Sequence, residues 1–266
     1  MKKTILQLSV AFFAVILFSA FSLKNNDTDE KSKSLIAALY QVNGGWQKLA
    51  AKKDVEFTYT YNDFAKGKDI STERYIFDGE HLWAEYKQHE VNVLPGMEGV
   101  AKQCYMNGEA TISLDGKKVT DPQAVGGTEF LRVANYFWFA MMYKINDPGT
   151  HHKYLGQEEI NGINYDKVSL SYNPAEVGKE VNDDYILYFN PKTKMIDQFL
   201  FSLPAMGVNQ PVLKMELDYE IVDGIYIATT RRAYAPNEKG EYGQMGEYTS
   251  KNIKFSNGFK VEDFKI

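Results

Sequence analysis

From residue 55 onward, six Asn-Gly or Asp-Gly pairs punctuate this chain: Asp78-Gly79, Asn107-Gly108, Asp115-Gly116, Asn161-Gly162, Asp223-Gly224 and Asn257-Gly258. Such pairs accept the positive φ of a two-residue hairpin, whose twist matches that of the flanking strands. Between them the residues run with period two. Val55, Phe57, Tyr59 and Tyr61 alternate with Glu56, Thr58, Thr60 and Asn62, the pattern of a strand with one buried and one wet face. Leu213, Met215, Leu217, Tyr219 and Ile221 repeat it against Lys214, Glu216, Asp218 and Glu220. Further strands are expected at 75–77, 82–86, 111–114, 165–172, 185–189, 196–203, 225–234 and 248–255, with Asn190-Pro191-Lys192-Thr193 turning between two of them. About ten strands joined by tight turns make an antiparallel meander, since parallel pairs would need helices between them.

Two stretches have helical character. Leu35, Ile36, Leu39 and Val42 fall on one face of a short helix over 34–42, stopped by Gly44-Gly45, and Trp46, Leu49 and Ala50 open another turn. The segment 128–143 is expected to be a helix set between Gly126-Gly127 and Asp147-Pro148-Gly149. Glu129, Arg132 and Asn135 form a narrow polar stripe on it, and nearly everything else is apolar. A helix of that kind must be covered on most sides. The expected fold is therefore mainly β (α+β): a single large curved antiparallel sheet, half-barrel-like, with an N-terminal helix and a hydrophobic helix near 128–143 packed on its concave side.

The N-terminus reads as an export signal. Lys2 and Lys3 precede an apolar run to Phe21, and Ala20 and Ser22 suit cleavage after Ser22. The expected organisation is a signal peptide over 1–22, a polar linker over 23–33 and one β-rich domain over 34–266, located in the periplasm. The single cysteine, Cys104, stands far from the cleavage site. No N-terminal lipid anchor is expected, and Cys104 is expected to be buried and inert. One cysteine also makes no internal disulfide, so a packed core must hold the fold.

Several function classes find no support. A net charge of −5 argues against nucleic acid as a partner. His81, His89, His151 and His152 lack helical ligand spacing and a companion cysteine, and no metal site or cofactor is expected. There is no Gly-x-Ser-x-Gly elbow and no Gly-rich phosphate loop, so no catalytic residue is assigned and the chain is not expected to be an enzyme.

Aromatics carry the strongest compositional signal, with 18 Tyr, 16 Phe and 3 Trp. Trp83, Trp138, Met141 and Met142 are the candidate ligand-binding residues. They serve either as core or as the lining of a cavity for a lipophilic ligand, because methionine adapts to irregular apolar shapes.

From about Ala37 onward the chain resembles an uncharacterised family of exported proteins of Gram-negative bacteria. The residues that carry the likeness are Gly44-Gly45-Trp46, the run from Phe77 to Trp83, Asn135 to Trp138, Tyr188 to Thr193 and Val222 to Tyr226. Residues 155–235 are also similar to the LolA and LppX-like lipoprotein-carrier folds. That resemblance implies a half-barrel with helices closing its mouth, a carrier of acyl chains, and an arginine inside the cavity, for which Arg132 and Arg231 are candidates. The expected partner is a hydrophobic small molecule or acyl chain. The alternative is an envelope protein docked on an edge or face of the sheet, with no ligand cavity.

Overall fold

The computed structural model describes residues 29–266. The expected signal peptide lies outside the described residues. Two helices come first. In α1 (Glu30–Asn43), the Asp29 side chain caps the start by accepting the Ser32 N–H, and Gly44, at φ +89°, closes the end. The cap sets the start at Glu30, four residues ahead of the expected helix. α2 (Gly45–Ala50) follows directly.

Thirteen strands then form one sheet: β1 (Asp54–Asp63), β2 (Gly67–Ile76), β3 (His81–His89), β4 (Ala101–Met106), β5 (Glu109–Leu114), β6 (Lys117–Val119), β7 (Thr150–Ile160), β8 (Ile163–Tyr172), β9 (Tyr185–Phe189), β10 (Ile196–Leu203), β11 (Val208–Val222), β12 (Ile225–Pro236) and β13 (Tyr242–Phe255). Every pairing is antiparallel, and the order is β6-β5-β4-β3-β2-β1-β13-β12-β11-β10-β9-β8-β7. The sheet is open, with β6 and β7 at its edges. The first and last strands meet in the middle, so a single long-range pairing, β1 with β13, joins two meanders.

The turn chemistry performs as expected at four of the six pairs. Asn107-Gly108, Asp115-Gly116, Asn161-Gly162 and Asp223-Gly224 each hold both residues at positive φ between adjacent strands. At Asp78-Gly79 the positive φ values fall on Gly79 and Glu80, in a longer turn between β2 and β3. Asn257-Gly258 makes no hairpin. It follows the last strand, where the buried Asp54 carboxylate accepts the backbone N–H groups of Asn257, Gly258 and Phe259. Those bonds hold the C-terminal segment against the start of β1.

The hydrophobic helix is longer than expected. α3 (Pro122–Lys144) begins with Asp121 as N-cap and a proline in its first turn, so Gly126 and Gly127 lie inside it and do not precede it. At about 1.5 Å per residue its 23 residues reach about 34 Å. That matches the roughly 29 Å of six inter-strand steps from β5 to β12 at about 4.8 Å each. α3 crosses those strands in turn: Thr128 meets Gln103 on β4, Arg132 meets Tyr86 and Glu73 on β3 and β2, Asn135 meets Tyr59 on β1, and Tyr143 meets the Tyr226 carbonyl on β12.

The main core lies between this helix and the sheet. Phe139 stacks on Phe57 at 4.9 Å and meets Tyr75 edge-on, with Met141, Met142, Leu187, Phe199 and Met215 around them. The opposite, convex face carries a small cluster of Trp83, Cys104 and Phe264 under the C-terminal segment. Burial pushes the Cys104 thiol up to about 11, which keeps it protonated and unreactive at neutral pH.

Candidate functional site

Arg132 and Asn135 of the α3 stripe face the sheet, Glu129 is exposed, and part of the helix's apolar surface faces solvent. Arg132 is fully buried and ion-paired with Glu73, which also accepts hydrogen bonds from Ser71 (2.8 Å) and Tyr75 (3.0 Å). A second arm of the guanidinium donates to the Tyr86 hydroxyl at 2.5 Å. Burial works against the Arg132 charge, yet Glu73 and the adjoining tyrosines raise its pKa above the ordinary value. This network holds the N-terminal half of α3 to β2 and β3. The other side of the same half presents Phe130 and Val133, 42% and 39% exposed, with Phe137 partly buried one turn further on.

Trp138 stands on α3 against β10 and β13. Its ring lies 5.1 Å from Phe201, 5.8 Å from Phe199 and 6.0 Å from Tyr248. Tyr248 in turn stacks on Tyr61 at 4.4 Å. Tyr61, Tyr248, Leu213, Phe137 and Trp138 are all only partly buried against the core. Beyond them lies the end of the sheet where β1 turns into β2 and β12 into β13. Here Phe64 donates its backbone N–H to Met245, and the Tyr242 hydroxyl donates to Val212. Phe64, Met245, Val212 and Met206 give this rim exposed apolar side chains.

Of the four candidate residues, the structure brings three together on the helix and places the fourth elsewhere. Met141 and Met142 are buried in the main core, and the Met142 carbonyl accepts from Asn43. Trp138 alone reaches the partly open aromatic surface. Trp83 points to the convex face, with the Arg74 guanidinium 4.6 Å over its ring, and lines a polar cleft of about 480 Å³ with Arg74, Glu85, Lys87 and Lys102. Phe130 and Val133, exposed on α3, and Phe201, Tyr61 and Tyr248, in the aromatic group around Trp138, were not singled out by the sequence pattern. Period two placed Tyr61 and Tyr248 on strands, yet nothing local marks them as lying beside the helix.

The inner face also holds the second buried arginine. Arg231 lies opposite Tyr248 on β13 and Leu217 on β11. Its guanidinium sits 5.6 Å from the Tyr59 ring and 5.9 Å from the Tyr248 ring. Burial raises the Tyr59 hydroxyl's pKa, and the Arg231 charge opposes that rise. No group of His, Cys, Asp and Glu able to hold a metal ion occurs among the described residues. Of the histidines, His89 meets the Val93 and Gly99 carbonyls and His152 the Ile145 carbonyl.

Solved structures of similar fold exist. A DUF1329 family protein from Desulfovibrio piger matches with a TM-score of 0.54 at 15% identity, over 90% of this chain and 98% of that one. A LolA superfamily protein from Nitrosomonas europaea matches with a TM-score of 0.52 at 10% identity, over 88% and 97%. A domain described as an outer membrane lipoprotein-sorting protein domain, from Vibrio parahaemolyticus, matches with a TM-score of 0.51 at 12% identity, over 89% and 97%. These likenesses give the fold, an open LolA-like antiparallel sheet with a helix across one face. Among curated proteins none matches the chain. Residues 11–210 match the model of the family of unknown function DUF6503, and the chain belongs to that family.

Proposed function

We propose that this protein is a periplasmic carrier or binder of a hydrophobic ligand, an acyl chain or a molecule that bears one. The observation that carries the reading is the arrangement around Trp138. The helix turns Arg132 and Asn135 inward, fixes Arg132 by a buried ion pair, leaves Phe130 and Val133 exposed, and sets Phe137 and Trp138, only partly buried, against an aromatic strip that runs out to an apolar rim. A core-only helix would bury Phe130 and Val133 and expose Arg132. The similar folds include a LolA superfamily protein and a lipoprotein-sorting domain, which supports the same reading by analogy.

Trp138 fills the space between helix and strip, so a chain enters by displacing its ring or by lifting α3 from β10 to β13. The anchor at Arg132 lies on the other flank of the helix and is spared by such a motion. Native mass spectrometry of the protein purified from its own periplasm tests the proposal. A bound species of lipid mass that organic solvent removes is expected. A protein that emerges ligand-free, and stays so after incubation with a fatty-acid mixture, contradicts it.

A further inference from the structure

Arg231 carries a buried charge that the surrounding side chains do not neutralise. It is 3% exposed, its Nε and Nη1 have no hydrogen-bond partner, and it joins no ion pair among the described residues. Two more donors in the same patch lack an acceptor. Ser250, opposite Tyr59 on the inner face, has an unpartnered hydroxyl, and Asn135 above them has an unpartnered Nδ2 while its Oδ1 accepts from Tyr59 at 3.4 Å. The carboxylates of neighbouring inner positions are already engaged. Glu73 is held by Arg132, Ser71 and Tyr75, and Asp63 by Tyr61 and two backbone N–H groups. Donors therefore exceed acceptors in a buried patch, the reverse of what a finished core tolerates.

We propose that Arg231, assisted by Ser250 and Asn135, binds the carboxylate of an acyl-chain ligand whose chain lies along Tyr248, Trp138 and Phe201 toward the rim. This rests on the carrier reading above and names its ligand class. A carboxylate matches the planar fork of a guanidinium and accepts the remaining donors. One positive charge neutralises a monoanion, whereas a phosphate dianion would leave net charge buried. Toward the rim, the next inward position on β12 is the buried Ala233, opposite Gly246 on β13, against which the Tyr61 ring packs. Beyond them come the exposed Met245 and Phe64.

The test compares a fluorescent polyene fatty acid with its methyl ester, on the mature protein and on Arg231→Met and Arg231→Lys. The acid is expected to bind wild type at least about tenfold more tightly than the ester. Arg231→Met should bind both at the ester's affinity, and Arg231→Lys should keep part of the preference. Equal affinities in wild type overturn the carboxylate site, as does an unchanged preference in Arg231→Met. Should Arg231→Met not fold, the wild-type comparison decides alone. A long-chain alkyl phosphate that outcompetes the fatty acid overturns the assignment to a carboxylate. Ester binding without acid preference removes this inference and leaves the carrier reading intact, whereas binding of neither removes both.

Discussion

Glu73→Ala should lower the free energy of unfolding by about 3–5 kcal/mol, because it leaves the Arg132 guanidinium buried without its carboxylate. Both side chains are fully buried, and Glu73 also serves Ser71 and Tyr75, so the loss spreads through the network. Urea denaturation followed by circular dichroism measures it. Replacing Glu73 and Arg132 together by methionine should recover most of the loss, since an apolar pair of similar size avoids burying charge. If the single variant is as stable as wild type, α3 is not anchored to β2 by this pair. The whole placement of the helix would then need revision.

Phe139→Ala and Trp138→Ala, adjacent on α3, should part company. Phe139 is buried on Phe57 and Tyr75, and its truncation should cost about 3–5 kcal/mol through lost burial and a cavity. Trp138 is only partly buried and should cost less, about 1–3 kcal/mol, since part of its surface already meets water. Ligand uptake should run in the opposite order. Trp138→Ala should weaken binding of a fluorescent fatty acid several-fold, while folded Phe139→Ala binds nearly as wild type. Thermal unfolding and a binding titration on the same samples give both readings. Equal and large stability losses with unchanged uptake would make Trp138 an ordinary core residue.

The architecture was legible wherever inner positions are apolar. β1 and β11 show plain alternation, and the turn from β11 to β12 carries Asp223-Gly224. β2 is the instructive case. Its inward residues are Asp69, Ser71, Glu73 and Tyr75, buried although three are polar, so only its last residues read as strand. The pattern breaks there because those positions receive Arg132 and the chain after β3, a use that local sequence does not reveal. β4 is similar through Gln103, which donates to Thr128. β7 is a largely exposed edge strand kinked at Gly156, with little buried face to alternate. The start of α3 was written in Asp121-Pro122, a stronger signal than the Gly126-Gly127 pair beyond it.

The site was legible only in part. Trp138 was identifiable as a large aromatic on an unusually apolar helix, but the side of that helix left open was not. The three polar residues of its stripe suggested a face of their own, yet Arg132 and Asn135 turn inward, Arg132 through its pairing with Glu73, while Glu129 stays exposed. Trp83 shows the same limit on a strand. Its neighbour Leu82 is core, and which parity faces the helix is decided by pairing with β2 and β4, not by residue type.

The central claim is that an acyl chain lies on the inner face beside Trp138. The direct measurement is fluorescence quenching by a spin-labelled fatty acid in two single-tryptophan proteins. One keeps only Trp138, with Trp46 and Trp83 changed to phenylalanine; the other keeps only Trp83, on the convex face. Saturable quenching of Trp138, with Trp83 affected only by collision, is the predicted result. Saturable quenching of Trp83 with Trp138 unchanged, or quenching of neither, would contradict the account.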